Sequence, residues 1–150
     1  MKMSEEGLEL IKEFEGCKLE AYKCPAGVWT IGVGSTLYED GSKVQKGDYL
    51  ESEDEAMDLL ALTLGKYEQS VTKSVHVPLT QNEFDALVSF TYNVGGANLA
   101  SSTLLKLLNS GESKSIVAQE FHKWNKAGGK ELAGLTRRRQ AEARLFLAND

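Results

Sequence analysis

Glu15 is the side chain with the clearest capacity for chemistry. Leu8, Ile11 and Phe14 recur at helical spacing behind Ser4, a good N-cap, and Gly16 is a natural stop. Glu15 therefore falls on the last residue of an amphipathic helix read over 5–15. Unpaired carbonyls and the negative end of the helix dipole gather there. That field opposes the carboxylate and favours the proton-carrying form, which a general acid needs at neutral pH. On position alone, the bland reading is a solvated glutamate at a helix end. Cys24 follows nine residues later and Thr30 fifteen residues later.

Other candidates carry less. Cys17 and Cys24 share one short segment and no third cysteine exists, so neither a disulfide framework nor a zinc cage is expected. His76 and His122 are isolated, without the helical His/Glu partner of a metal site, and read as structural. Ser89, Ser101 and Ser102 lack a nucleophile-elbow context. Gly32-Val33-Gly34 is not a dinucleotide fingerprint, because no third glycine stands at Leu37 and no βαβ unit surrounds it. Trp124 reads as a core aromatic rather than a sugar platform.

The elements that must position these groups are mostly helical. Beyond Gly16 the period changes: 18–22 alternates, Pro25-Ala26-Gly27 reads as a turn, and 28–33 is β-prone. A hairpin or small three-stranded sheet is expected over 18–50, with Asp40-Gly41 as a second turn. Ser52-Glu53-Asp54-Glu55 and Thr80-Gln81-Asn82-Glu83 both fit the capping box. From the first, Ala56, Leu59, Leu60, Leu64, Tyr67 and Val71 keep one apolar face. From the second, Phe84, Leu87, Val88 and Thr91 do so until Gly95-Gly96. Shorter helices are read at 103–109 and 113–124, and a last one at 135–147. The helical region spans 53–147.

The chain has 150 residues, a net charge of -5 and 41% hydrophobic residues, which suits one globular domain over 1–150. No uncharged apolar run approaches the ~20 residues that span a bilayer, so stable membrane insertion is not expected. The start, Met-Lys-Met-Ser-Glu-Glu-Gly, lacks the pattern of a secretory signal, and the expectation is a chain without a signal peptide or membrane anchor. The acidity argues against a broad nucleic-acid surface. The run Arg137-Arg138-Arg139 is the local exception, read as a solvated helix face or an ion-pair network and as the main basic patch.

The segment Glu-Gly-Cys-Lys-Leu-Glu-Ala-Tyr-Lys-Cys-Pro-Ala-Gly-Val-Trp-Thr-Ile-Gly-Val-Gly, 15–34, resembles the phage-type lysozymes, the endolysins. Their signature is a glutamate, eight residues, an aspartate, five residues and a threonine, leading into Thr-Ile-Gly-x-Gly. The resemblance continues through Leu79-Thr80-Gln81, 84–90, Tyr92-Asn93-Val94-Gly95, Ser102-Thr103-Leu104-Leu105, 124–129 and 134–142. It implies a lysozyme-like α+β fold, mostly helical, in which a small N-terminal β lobe and a larger helical lobe flank a cleft. It also implies hydrolysis of the β-1,4 bond between N-acetylmuramic acid and N-acetylglucosamine in peptidoglycan, without a cofactor or metal. Carried over by position, Glu15 protonates the leaving oxygen, residue 24 supports the attacking water or the developing cation, and Thr30 holds that water. Tyr92 and Asn93 are candidate substrate contacts, against a reading of plain helix packing.

The sequence departs from the pattern at two positions. Cys24 stands where the family has aspartate, so one carboxylate of the usual pair is missing. The thiol is open to three readings: base, nucleophile or polar spacer. Glu20 and Asp40 are poor replacements, because alternation aims neither at Glu15. Ser35 stands where many relatives have a histidine that anchors the hairpin. The rival reading is a wall-binding protein that keeps the fold and has lost catalysis, since fold does not guarantee function. Nucleic-acid binding through the last helix ranks last. By resemblance the chain is a monomer held in the host cytoplasm until a separate pore-forming protein admits it to the periplasm and cell wall. Its acidity implies weaker attraction to anionic walls than cationic relatives have.

Overall fold

The first helix runs as the sequence dictates. In α1 (Glu5–Glu15), the Ser4 hydroxyl accepts from the Gly7 N–H at 3.3 Å, and Glu5 and Glu6 occupy the first turn. Gly16 ends it at φ +78°, a left-handed conformation that suits glycine, with its N–H donating to the Lys12 carbonyl at 2.8 Å. The computed structural model describes residues 1–149 and groups them into two units, one of 8–65 and the other of 1–7 with 66 onward.

In the unit of 8–65, β1 (Lys18–Lys23) pairs antiparallel with β2 (Trp29–Gly32), with Tyr22 opposite Thr30 and Lys23 opposite Trp29. The turn between them forms at the predicted Pro25-Ala26-Gly27, where the Gly27 N–H donates to the Cys24 carbonyl at 2.8 Å. The sheet stops at two strands. Further pairing is confined to single bridges, Glu20 with Tyr49, Ile31 with Ser35 and Leu37 with Lys43. A two-stranded ribbon is marginal alone, so its stability comes from packing. Ala21, Ile31, Val44 and Leu50 form one buried cluster with Ala56 and Leu59 of α2 (Glu53–Thr63). Gly32, at φ +66°, lies where a Cβ would meet that of Ala56 at 3.3 Å, so β2 can approach α2 closely only with glycine there. Ser35 is fully buried, and its hydroxyl pairs with that of Thr63 at 2.8 Å, a small anchor at the position where histidine is common.

The second unit contains α3 (Gly65–Ser74), α4 (Gln81–Val94), α5 (Gly96–Ser101), α6 (Thr103–Asn109), α7 (Lys114–Phe121), a short hairpin of β3 (Lys126–Ala127) and β4 (Lys130–Glu131), and α8 (Ala133–Leu147). α4 is its buried centre and packs on α8, with α7 also against α8. Phe90 of α4 meets Phe121 and Trp124 edge-on at 5.3 and 5.6 Å, so Trp124 extends the core as expected. Thr80 forms the full capping box: its hydroxyl accepts from the Glu83 N–H at 3.1 Å, and Glu83 Oε1 accepts from the Thr80 N–H at 2.8 Å. At Ser52 only half the box forms, because the Glu55 carboxylate takes the Glu51 N–H instead.

Three local readings need revision. The apolar face read continuously from Ala56 to Val71 is split at Leu64, where α2 ends and α3 begins. α5 starts at Gly96, in the glycine pair that reads from sequence only as a stop, and the β3–β4 hairpin, which turns at Gly128-Gly129, has no counterpart in the sequence reading. The arginine run is not a basic patch. Arg138 and Arg139 are 3% and 0% exposed, and each lies 3.2 Å from the carboxylate of Glu142, leaving only Arg137 at the surface. The ion-pair network is the reading that holds. Four residues on a helix bring Arg138 over Glu142, and burial removes the competing water.

Candidate active site

Glu15 ends α1 as an exposed side chain, and the chain turns at Gly16 directly into β1. The hairpin then presents Cys24 at the head of its turn and Thr30 on the returning strand. Thr30 is 4% exposed, and its hydroxyl donates to the Val28 carbonyl at 3.0 Å. Cys24 is half-buried and free. Its thiol is held below the usual cysteine range, first by the backbone amide of Val28 and then by that of Ala26, with the Thr30 hydroxyl adding to them. A hairpin turn thus supplies donors that favour the thiolate. Cys17 behaves in the opposite way, because burial, reinforced by Glu53, pushes its thiol up.

Tyr22 is the neighbour that sequence reasoning missed. Burial pushes its phenol above the ordinary range, and the negative charges of Glu15 and Cys24 push it further. Tyr22 lies opposite Thr30 across the β1–β2 pair and senses both charges. Strand alternation was the available signal, since residues two apart on β1 share a face with the turn residue that follows. A cavity of about 610 Å³ in the same unit, lined by Tyr38, Asp48, Tyr49, Glu55, Asp58 and Leu62 among others, includes none of the three candidates.

Tyr92 and Asn93 belong to the other unit, on the last turn of α4. Tyr92 is half-buried and stacks edge-on with Tyr67 at 5.0 Å. Asn93 is exposed, and its Oδ1 accepts from Nη2 of Arg139 at 2.5 Å. Ser89 is buried and donates to Glu142 at 2.5 Å, which occupies it structurally. His76 and His122 are exposed, and His122 closes α7. Among the described residues no three His, Cys, Asp or Glu side chains are placed to hold a metal ion.

Residues 12–142 match the family model described as Phage lysozyme, a span that contains the whole hairpin with Glu15, Tyr92 and Asn93. The chain belongs to the phage lysozyme family. It is 44% identical to the endolysin of Bacillus phage B103 over 100% of its own length, and it spans 56% of that relative. A solved P22 lysozyme mutant superposes with a TM-score of 0.90 at 36% identity, covering 99% of each chain. The muramidase domain of SpmX from Asticaccaulis excentricus superposes at 0.85 with 37% identity, again covering 99% of each. The mostly helical α+β fold expected of a phage lysozyme is thus the fold observed. No helix among the described residues of the chain is long and apolar enough to cross a membrane.

Proposed function

We propose that the chain is an endolysin-type muramidase, hydrolysing the β-1,4 bond between N-acetylmuramic acid and N-acetylglucosamine in peptidoglycan. Glu15 donates its proton to the glycosidic oxygen as the bond to the anomeric carbon breaks. A water held by Thr30 adds to that carbon, and the Cys24 thiolate takes the proton the water releases. Acid on one side and base on the other is the arrangement of an inverting glycosidase. The observation that carries this reading is the hairpin itself, which follows the helix end of Glu15 and sets Cys24, at the position of the family's aspartate, at the head of its turn with Thr30 on the returning strand. A thiol held toward its anion supplies the function of the missing carboxylate. The same observation weighs against the rival wall-binding protein without catalysis.

The muramidase domain of SpmX, similar over nearly the whole chain, supports the bond specificity. Tyr92 and Asn93 contact the glycan in this reading, and no cofactor is required. The chain acts as a monomer, waits in the host cytoplasm and reaches the wall after a separate pore-forming protein opens the membrane. Digested wall reduced with borohydride tests the bond assignment. Conversion of muramic acid to its sugar alcohol is expected, and conversion of glucosamine alone would overturn it. Inversion at the anomeric carbon is expected by NMR, whereas retention would require a covalent step at sulfur.

A further inference from the structure

The cavity of about 610 Å³ in the unit of 8–65 has no part in the chemistry above, since none of Glu15, Cys24 and Thr30 lines it. Its size is that of a small-molecule site. One wall is α2, where Glu55, Asp58, Leu59 and Leu62 recur at three- and four-residue spacing and share a helix face. The other is the segment 38–50, whose own bonds hold it in place. The Tyr38 hydroxyl donates to Asp48 Oδ2 at 2.7 Å, and the Gln45 N–H donates to the same oxygen at 2.9 Å. Burial, and then that carboxylate, push the Tyr38 phenol up to about 12, so it remains a donor to Asp48. Leu50 and Leu59 are buried beneath the cavity, while Leu62 and Tyr49 stay 53% and 69% exposed along it. Around this apolar lining stand the carboxylates of Glu39, Asp48, Glu55 and Asp58, with no lysine, arginine or histidine among the lining residues. Asp48 and Glu55 accept only from neutral donors, and none of the four has an ion-pair partner among the described residues. Nor do any three of them converge as a metal ion would require. Spaced negative charges over an apolar floor call for spaced positive charges on an apolar chain.

We infer that this cavity binds a linear polyamine, its ammonium groups on the carboxylates and its methylenes along Leu59, Leu62 and the Tyr49 ring. Opposite charge alone is weak among exposed groups, so selectivity comes from burying the methylenes as well. An ammonium against a tyrosine face adds cation–π attraction. The ligand bridges α2 and the segment 38–50, a juxtaposition that exists only in the folded chain, so binding raises stability by mass action.

The test is calorimetric titration of the natural chain with straight-chain terminal diamines of increasing length, which vary the methylenes at constant charge. Salt at about 0.15 M screens charges more than ~8 Å away. Affinity should rise with each added methylene by up to about fourfold, the worth of one buried CH₂, and spermidine should bind more tightly than Mg²⁺. Glu55→Gln with Asp58→Asn should weaken spermidine about two- to thirtyfold, the span of two exposed ion pairs. Tyr49→Ala should weaken it about two- to fivefold. Glu112→Gln with Glu131→Gln makes the same change of net charge on exposed residues of the other unit and should leave the affinity as it was. All five substituted side chains are exposed, so each variant should melt near the natural midpoint without ligand. Spermidine should raise that midpoint for the natural chain and the control, and less for the cavity variant. An affinity independent of chain length, Mg²⁺ binding as tightly as spermidine, or an equal loss in the two double variants would mark a diffuse counter-ion effect and overturn the inference.

Discussion

Replacing Ile31 with alanine should reveal how the hairpin that carries Thr30 is held. Ile31 is fully buried in the cluster of Ala21, Val44, Leu50, Ala56 and Leu59. Its backbone is fixed at both ends, the N–H donating to the Ser35 carbonyl at 2.8 Å and its carbonyl accepting the Ser35 N–H at 2.9 Å. Those bonds survive the substitution, so the loss is one of packing. Removing three buried carbons without collapse of the site costs about 2–5 kcal/mol, against about 0.5–1.5 kcal/mol for Ile31→Val. For a chain of this length each kcal/mol lowers the melting midpoint by about 2–4 °C, so a fall of about 4–20 °C is expected. The two tryptophans supply the assay. Trp29 packs against this cluster and Trp124 against Phe90, so Trp124→Phe leaves Trp29 as the fluorescent reporter of the hairpin. Urea unfolding should show a lower midpoint with an unchanged slope. A cost for Ile31→Ala below about 1 kcal/mol, or equal to that of Ile31→Val, would refute the claim that this cluster holds the strand.

Two other predictions are independent of it. Thr80→Ala removes the hydroxyl that accepts the Glu83 N–H at 3.1 Å and should cost about 1 kcal/mol, while Thr80→Ser should be near neutral in the same melt. In a lysis assay the natural chain should show a limb rising with pH as Cys24 ionises, at a pH below the ordinary cysteine range because the Val28 and Ala26 amides favour the anion. Below that limb the thiol is protonated and cannot take the water's proton, so activity falls with falling pH. Cys24→Asp should move the limb into the carboxylate range and keep activity, and Cys24→Ala should lose the limb and most of the rate. The Cys24 variants are best compared in a Cys17→Ala background, which leaves position 24 as the only difference in thiol chemistry.

Much of the scaffold was written in local chemistry. Ser4 and Gly16 bound α1, Thr80 with Glu83 opens α4, and Pro25-Ala26-Gly27 turns the hairpin, each through bonds among residues adjacent in the chain. Glu15 was legible for the same reason, since its place at a helix end follows from spacing alone. What depends on the rest of the molecule was not. The arginine run read as either a solvated face or an ion-pair network, and only the packing of α8 on α4 decides it by putting Arg138 and Arg139 inside with Glu142. The break at Leu64 was hidden because Leu64 itself keeps helical backbone angles, φ -72° and ψ -13°, within an unbroken apolar pattern. The bias of Cys24 toward its anion comes from amide groups in the turn, which have no signature in side-chain identity. Asn93 was named through resemblance, while its bond to Arg139 came only with the fold.

The central claim is that Glu15 supplies the proton. Its most direct test is the lysis rate of permeabilised Gram-negative cells treated with Glu15→Gln or with the natural chain, at equal concentrations of protein shown to be folded by its melting curve. Positioned acid catalysis accounts for about 10²–10⁴-fold of rate, so the variant should lyse slower by that factor with an unchanged melting midpoint. A folded Glu15→Gln that clears the cells at the natural rate would contradict the account.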